Sequence, residues 1–173
     1  MTISMYSASV PVFTTLLGNL DHFLGKGIAD AQARGYDPQV LAQARLAPDM
    51  LPLARQVLIA CDAAKLAVAR IAGIEAPKFD DTETTLPELK ERISKTLAFL
   101  QTVTPAQMDG TEEKDVTFPV GREATRTMKG EAYLKHWATA NVYFHVTTAY
   151  AILRHNGVKL GKAEYLLGHD APA

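Results

Sequence analysis

Cysteine is almost missing from this chain. Cys61 is the only one among 173 residues, so no intramolecular disulfide can form, and a reducing compartment fits that usage. Neither sign of charge is in excess. The 18 Lys and Arg against 19 Asp and Glu leave a formal net charge of −1, scattered along the chain; this argues against a phosphate-binding surface and makes nucleic acid an unexpected partner. No stretch approaches the roughly 20 apolar residues that span a bilayer. The opening MTISMYSASVPVF lacks the basic start and unbroken apolar run of a signal peptide. Internal repeats and low-complexity tracts are also lacking. These absences predict a cytoplasmic protein without a membrane partner.

What remains is an ordinary globular composition, 47% hydrophobic and 21% charged, and a length that suits one domain, 1–173, with a real core. Four long helical patterns dominate. The first spans about Ser7 to Lys26, with Val10, Phe13, Leu16, Leu17 and Leu20 on one side. Gly25 and Gly27 loosen the chain there, and a shorter helical piece follows to Arg34 before Gly35. Asp37-Pro38 opens a short helix through Ala44. Pro48-Asp49 then starts the second long pattern, Met50 to Ala72, apolar on most sides and stopped by Gly73. A loop, Ile74 to Thr85, carries the acids Asp80, Asp81 and Glu83. Thr85, with Glu88 three residues on, is a capping box for a third helix over Leu86 to Thr102. From Thr104 the helical period fails. Val116, Phe118 and Val120 alternate with polar residues, Gly121 follows, and Thr125 to Met128 is a second extended candidate, which together predict a small hairpin.

The most informative stretch is Lys135 to Gly157, KHWATANVYFHVTTAYAILRHNG. It predicts one long helix in which Asn141 and His145 stand one turn apart, on a stripe shared with Leu134, Trp137, Ala138, Thr148 and Ile152. Both should face a core, where an imidazole and a carboxamide each need a partner. Tyr143, Thr147 and Tyr150 form a second stripe. A helix with apolar surface on more than one side predicts cover by the segment Thr104 to Lys129 or by a second copy of the chain, and two-fold homodimers are the commonest oligomers.

Two phrases resemble a known superfamily. The second helix ends in Arg70-Ile71-Ala72-Gly73, similar to an Arg-Leu-Ala-Gly ending common in the DinB/YfiT-like four-helix bundles. The fourth carries Asn141-x-x-x-His145 and then ILRHNG, which resembles the His-x-x-x-His helix of those proteins with its Leu-Arg-x-x-Gly stop. With the phrases PLARQVLIACD and YFHVTTAYAILRHNGV, nearly the whole chain looks like a branch of that superfamily known only as a domain of unknown function. The resemblance implies an all-α, up-down-up-down four-helix bundle with short extra helices and a hairpin-like insertion. In the superfamily at large three histidines hold a divalent metal, one from the second helix and two from the fourth, and relatives include thiol-dependent transferases and isomerases.

By position His145 matches the second histidine of the pair and is the one candidate metal ligand. Asn141 replaces the first. The second helix has no histidine; Gln56, Cys61 and Asp62 occupy the neighbourhood, and Cys61 or Asp62 would have to complete a zinc, nickel or iron site. A neutral amide oxygen is a poor ligand for such ions. The expectation is therefore a degenerate site without a cofactor, in which His145 bonds to Asn141 or Gln56 and fixes helix register. Two alternatives stand beside it: a metal-dependent enzyme, and a module binding a small polar ligand at Gln56, Asn141 and His145. Elsewhere, His22 is expected at a boundary, His136 on the surface, His155 at a helix end and His169 in the tail; Cys61 is expected to act as a buried small hydrophobe.

Overall fold

The computed structural model describes residues 3–121 and 123–171. Helix α1 spans Val10–Arg34, α2 Gln39–Gln43, α3 Leu53–Ala72 and α4 Leu86–Gln101; α5 is the short Pro105–Met108. Strands β1, Asp115–Val120, and β2, Ala124–Lys129, form an antiparallel hairpin with Phe118 opposite Arg126. The last long helix is built from α6, Gly130–Tyr133, a π-helical turn, Leu134–Ala138, and α7, Thr139–His155, end to end; α8, Lys162–Leu167, and a 3₁₀ turn follow. Among the described residues no helix is long and apolar enough to cross a membrane.

The local signals explain most of these boundaries. Thr85 and Glu88 make the reciprocal capping box at the start of α4. Gly73 closes α3 with a left-handed φ of 72° that a residue with a side chain rarely adopts. Two boundaries differ from expectation. The first helix does not break at Gly25 or Gly27. A Cβ on Gly27 would lie 3.2 Å from the Leu153 side chain and 3.4 Å from Leu41, so this glycine admits close packing within an unbroken helix. The second long helix begins at Leu53, because Pro52, in extended conformation, sets its start.

Apolar side chains from α1, α3, α4 and α7 form the core, with Phe13, Phe23, Leu58, Ile71, Ile93 and Ile152 buried there. Around the bundle the order is α1, α4, α3, α7. Directions follow from the pairs that touch. Gln56 meets His145 and Arg70 meets Tyr133, so α3 and the last long helix are antiparallel. Phe23 meets Tyr150 and Arg34 meets Asn156, so α1 and α7 are parallel. Asp21 meets Lys90 and Tyr6 meets Asp109, so α1 and α4 are antiparallel.

The helical bundle with its hairpin is thus as expected, but its direction pattern is up-down-down-up, a correction to the simple alternation. The third helix runs parallel to the second, and segment 74–85 must return along the bundle between them. Extended, that segment reaches roughly 40 Å, more than the approximately 24 Å length of a helix of 16 residues such as α4. Arg92 holds it there. Its side chain is fully buried, and its guanidinium donates to Asp62 of α3 at 2.9 Å and to Asp81 and Glu83 of the returning segment at 2.7 and 3.0 Å. Phe79 lies under both Arg92 and Lys65, each 4.3 Å from its ring centroid.

The two apolar margins of the last helix find different covers. Trp137 packs on Phe118 of the hairpin, ring centroids 4.8 Å apart. Tyr150 packs on Phe23 and on Tyr165 of α8, and Thr147 shares a 2.8 Å hydrogen bond with the Tyr165 hydroxyl. Tyr143 and Phe144 stay 41% and 58% exposed.

Candidate functional site

Gln56 lies in the first turns of α3 and His145 midway along α7, and the antiparallel packing of these helices brings them together. His145 Nδ1 is 2.7 Å from Gln56 Oε1, with the two residues 9% and 2% exposed. The Gln56 amide nitrogen donates to the Leu51 carbonyl at 3.0 Å. That carbonyl can only accept, so it settles which end of the amide faces the histidine. The oxygen does, and it also only accepts. His145 must therefore carry its proton on Nδ1, which leaves the lone pair on Nε2. Burial pushes the imidazole pKa below its ordinary value. At neutral pH the pair is an uncharged hydrogen-bonded couple between two helices.

The other residues expected at this site are dispersed. Asn141 is half-buried and donates to the Trp137 carbonyl at 3.4 Å, a weak contact within its own helix. Asp62 faces Lys65 at 2.7 Å and Arg92 at 2.9 Å, and so belongs to the Arg92 cluster. Cys61 is fully buried, and desolvation pushes its thiol up to about 12, so it is no nucleophile at neutral pH. Of the two partners left open for His145, Gln56 is the one that bonds. His22 and His169 meet through Nδ1 atoms 3.0 Å apart where the tail docks on α1. His136 and His155 are exposed.

Asn141 and Asp62 share a different place. They stand on the wall of a cleft of about 230 Å³ between α3, the π-helical turn and the hairpin, which Arg70, Tyr133, Trp137 and Pro119 also line. Arg70 Nη1 donates to the Tyr133 hydroxyl at 3.1 Å. The sequence singles out Arg70 only as part of a helix ending and Tyr133 not at all. An arginine in a helix's last turn ordinarily reads as complementing the helix dipole, and nothing local signals the π turn that sets Tyr133 and Trp137 side by side.

The superfamily resemblance implies a divalent metal, and the donors at Gln56 and His145 do not fit one. The site has one imidazole. The neighbouring amide oxygen is engaged by that same ring, and the amide nitrogen is engaged by the backbone. Catalytic zinc usually keeps three protein ligands of imidazole, thiolate or carboxylate type. Among the described residues no group of three or more His, Cys, Asp and Glu lies where it would hold an ion. No chemical step through a metal follows from this geometry.

Comparison with known proteins agrees with the fold. A family model described as a domain of unknown function, DUF1993, matches residues 5–166. A crystal structure of a DinB family member protein from Shewanella denitrificans is 40% identical, with a TM-score of 0.86 over 97% of this chain and 94% of that one. No curated protein matches the sequence.

Proposed function

The chain belongs to the DUF1993 family, a DinB-like branch of helical bundles, and on that premise we propose that it is a metal-free member whose former metal centre is now a structural hydrogen bond. The observation that carries this reading is the Gln56–His145 contact of 2.7 Å. It commits the N–H of the site's one imidazole to an amide oxygen, and the free Nε2 lone pair belongs to no group of three or more ligating His, Cys, Asp and Glu side chains among the described residues. A neutral couple of this kind locks the register of α3 against α7, since sliding either helix by one turn would strand a buried donor and a buried acceptor.

Metal analysis of protein purified without chelator tests the reading, followed by titration with zinc and nickel. The expected result is less than stoichiometric metal and no rise in melting temperature on titration. Stoichiometric metal that disappears in His145→Ala would overturn it and restore the metal-dependent enzyme. The reading extends to a homodimer, supported by the exposed Tyr143 and Phe144 on α7, and to a cytoplasmic location, which the single buried cysteine fits.

A further inference from the structure

We propose that the cleft between α3 and the π-helical turn is a binding site for a small organic anion with a flat apolar body, of the arylalkyl carboxylate class, and that Arg70 is its anion-recognising residue. This goes beyond the reading of the Gln56–His145 pair and does not depend on it.

Charge at the cleft is unbalanced in a specific way. Asp62, its acid, is already held by Lys65 and Arg92. Arg70 has one guanidinium nitrogen bonded to the Tyr133 hydroxyl, and among the described residues it takes part in no ion pair. A guanidinium carries five donors in a planar fork that matches a carboxylate. The Tyr133 hydroxyl steers that fork toward the cleft while leaving most of it uncommitted. A cation that only served the helix end would need no such tether.

The rest of the wall defines the body of the ligand. Phe118 packs on both Tyr133 and Trp137, with ring centroids 4.8 Å apart in each case. The hairpin thereby fixes the phenol that orients Arg70 and the indole that faces the ligand. Leu66 and Pro119 add apolar surface, and Asn141 offers a carboxamide whose present contact is only a weak 3.4 Å one. Of the wall residues, Trp137 and Ala138 lie on the π-helical turn, an element that recurs at functional sites. A volume of about 230 Å³ equals seven or eight waters at ~30 Å³ each, room for one six-membered ring with a short acid arm.

Trp137 is the only tryptophan, so intrinsic fluorescence reports on this wall directly. The test titrates the protein with phenylacetate, with the isosteric phenylacetamide and with acetate, using ligand-observed NMR as a second readout. Saturable binding of phenylacetate is expected, with the amide and acetate each weaker by about tenfold or more, as loss of a charge-assisted hydrogen bond or of apolar burial implies. Arg70→Gln should weaken phenylacetate by about tenfold while leaving the amide unchanged. Arg70→Lys keeps the charge at the end of α3 but lacks the fork, so it serves if the first variant fails to fold; it too should bind phenylacetate more weakly. Equal affinity for acid and amide, undiminished binding by the Arg70 variants, or no saturable response in either readout would overturn the proposal.

Discussion

Replacing Gln56 and His145 by leucine, singly and together, separates a structural couple from two residues that merely adjoin. In His145→Leu the Gln56 oxygen loses its donor while its amide nitrogen keeps the Leu51 carbonyl. In Gln56→Leu the imidazole Nδ1–H is stranded at a position only 9% exposed. The Leu51 carbonyl also loses its partner there, but Leu51 is itself exposed and water can replace the amide. A buried polar group left without a partner costs about 1–3 kcal/mol, so each single variant should lose about 2 kcal/mol. The double variant removes donor and acceptor together and substitutes apolar groups of similar size. It should lie within about 1 kcal/mol of wild type. At roughly 2–4 °C per kcal/mol for a chain of this size, the singles should melt about 4–8 °C lower, and the double variant should recover most of that. Chemical denaturation gives the three free energies and their coupling. Additive losses would refute the reasoning, because they would mean that neither group depends on the other.

Acid should act at two places. The folded His145 pKa lies below its ordinary value, so the unfolded chain binds the proton first; this contribution to stability is complete above about pH 6.5 and is lost as the pH falls below it, a slope that His145→Leu should remove from a pH series of denaturation curves. Glu164 is held at about 2, first by Lys26 at 2.6 Å, so the docking of α8 on α1 should persist below pH 4.5 and fail toward pH 2, which NMR shifts of Tyr165 would follow. Cys61 should resist iodoacetamide in the native protein at pH 8 and react once denaturant is added; rapid native labelling would contradict its burial. In sedimentation velocity the wild type should run as a dimer and Phe144→Ser should shift toward monomer, whereas a monomeric wild type would refute the proposed self-association.

The sequence exposes those parts of the fold that depend on local chemistry. Thr85 with Glu88, Gly73, and the alternation of Val116, Phe118 and Val120 each act within a few residues, and each produced the element it implied. Helix direction is different. The parallel course of α4 depends on Arg92 meeting Asp62, Asp81 and Glu83, partners 9 to 30 residues away, and an arginine on a helix with a charged face gives no sign of such burial. The contact between His145 and Gln56 is legible, since an inward imidazole needs a partner and Gln56 stands in the right neighbourhood. Asn141, expected beside His145 as its other partner, stands on the cleft wall instead, with only a weak contact inside its own helix. For Leu134, Trp137 and Ala138, which precede α7, the π turn changes the angular position relative to His145, and a stripe counted at regular helical spacing does not allow for it.

The hydrogen bond between Gln56 and His145 joins residues 89 positions apart. Contacts of such long range form only after a large loop has closed, which predicts that α3 pairs with α7 late in folding. The closure entropy grows only logarithmically, by about 0.6 kcal/mol for each doubling of loop length. Insertions at the hairpin tip near Gly121 should therefore be thermodynamically mild. The chain can lengthen at that edge of the cleft, and reshape its rim, while the bundle beneath stays the same.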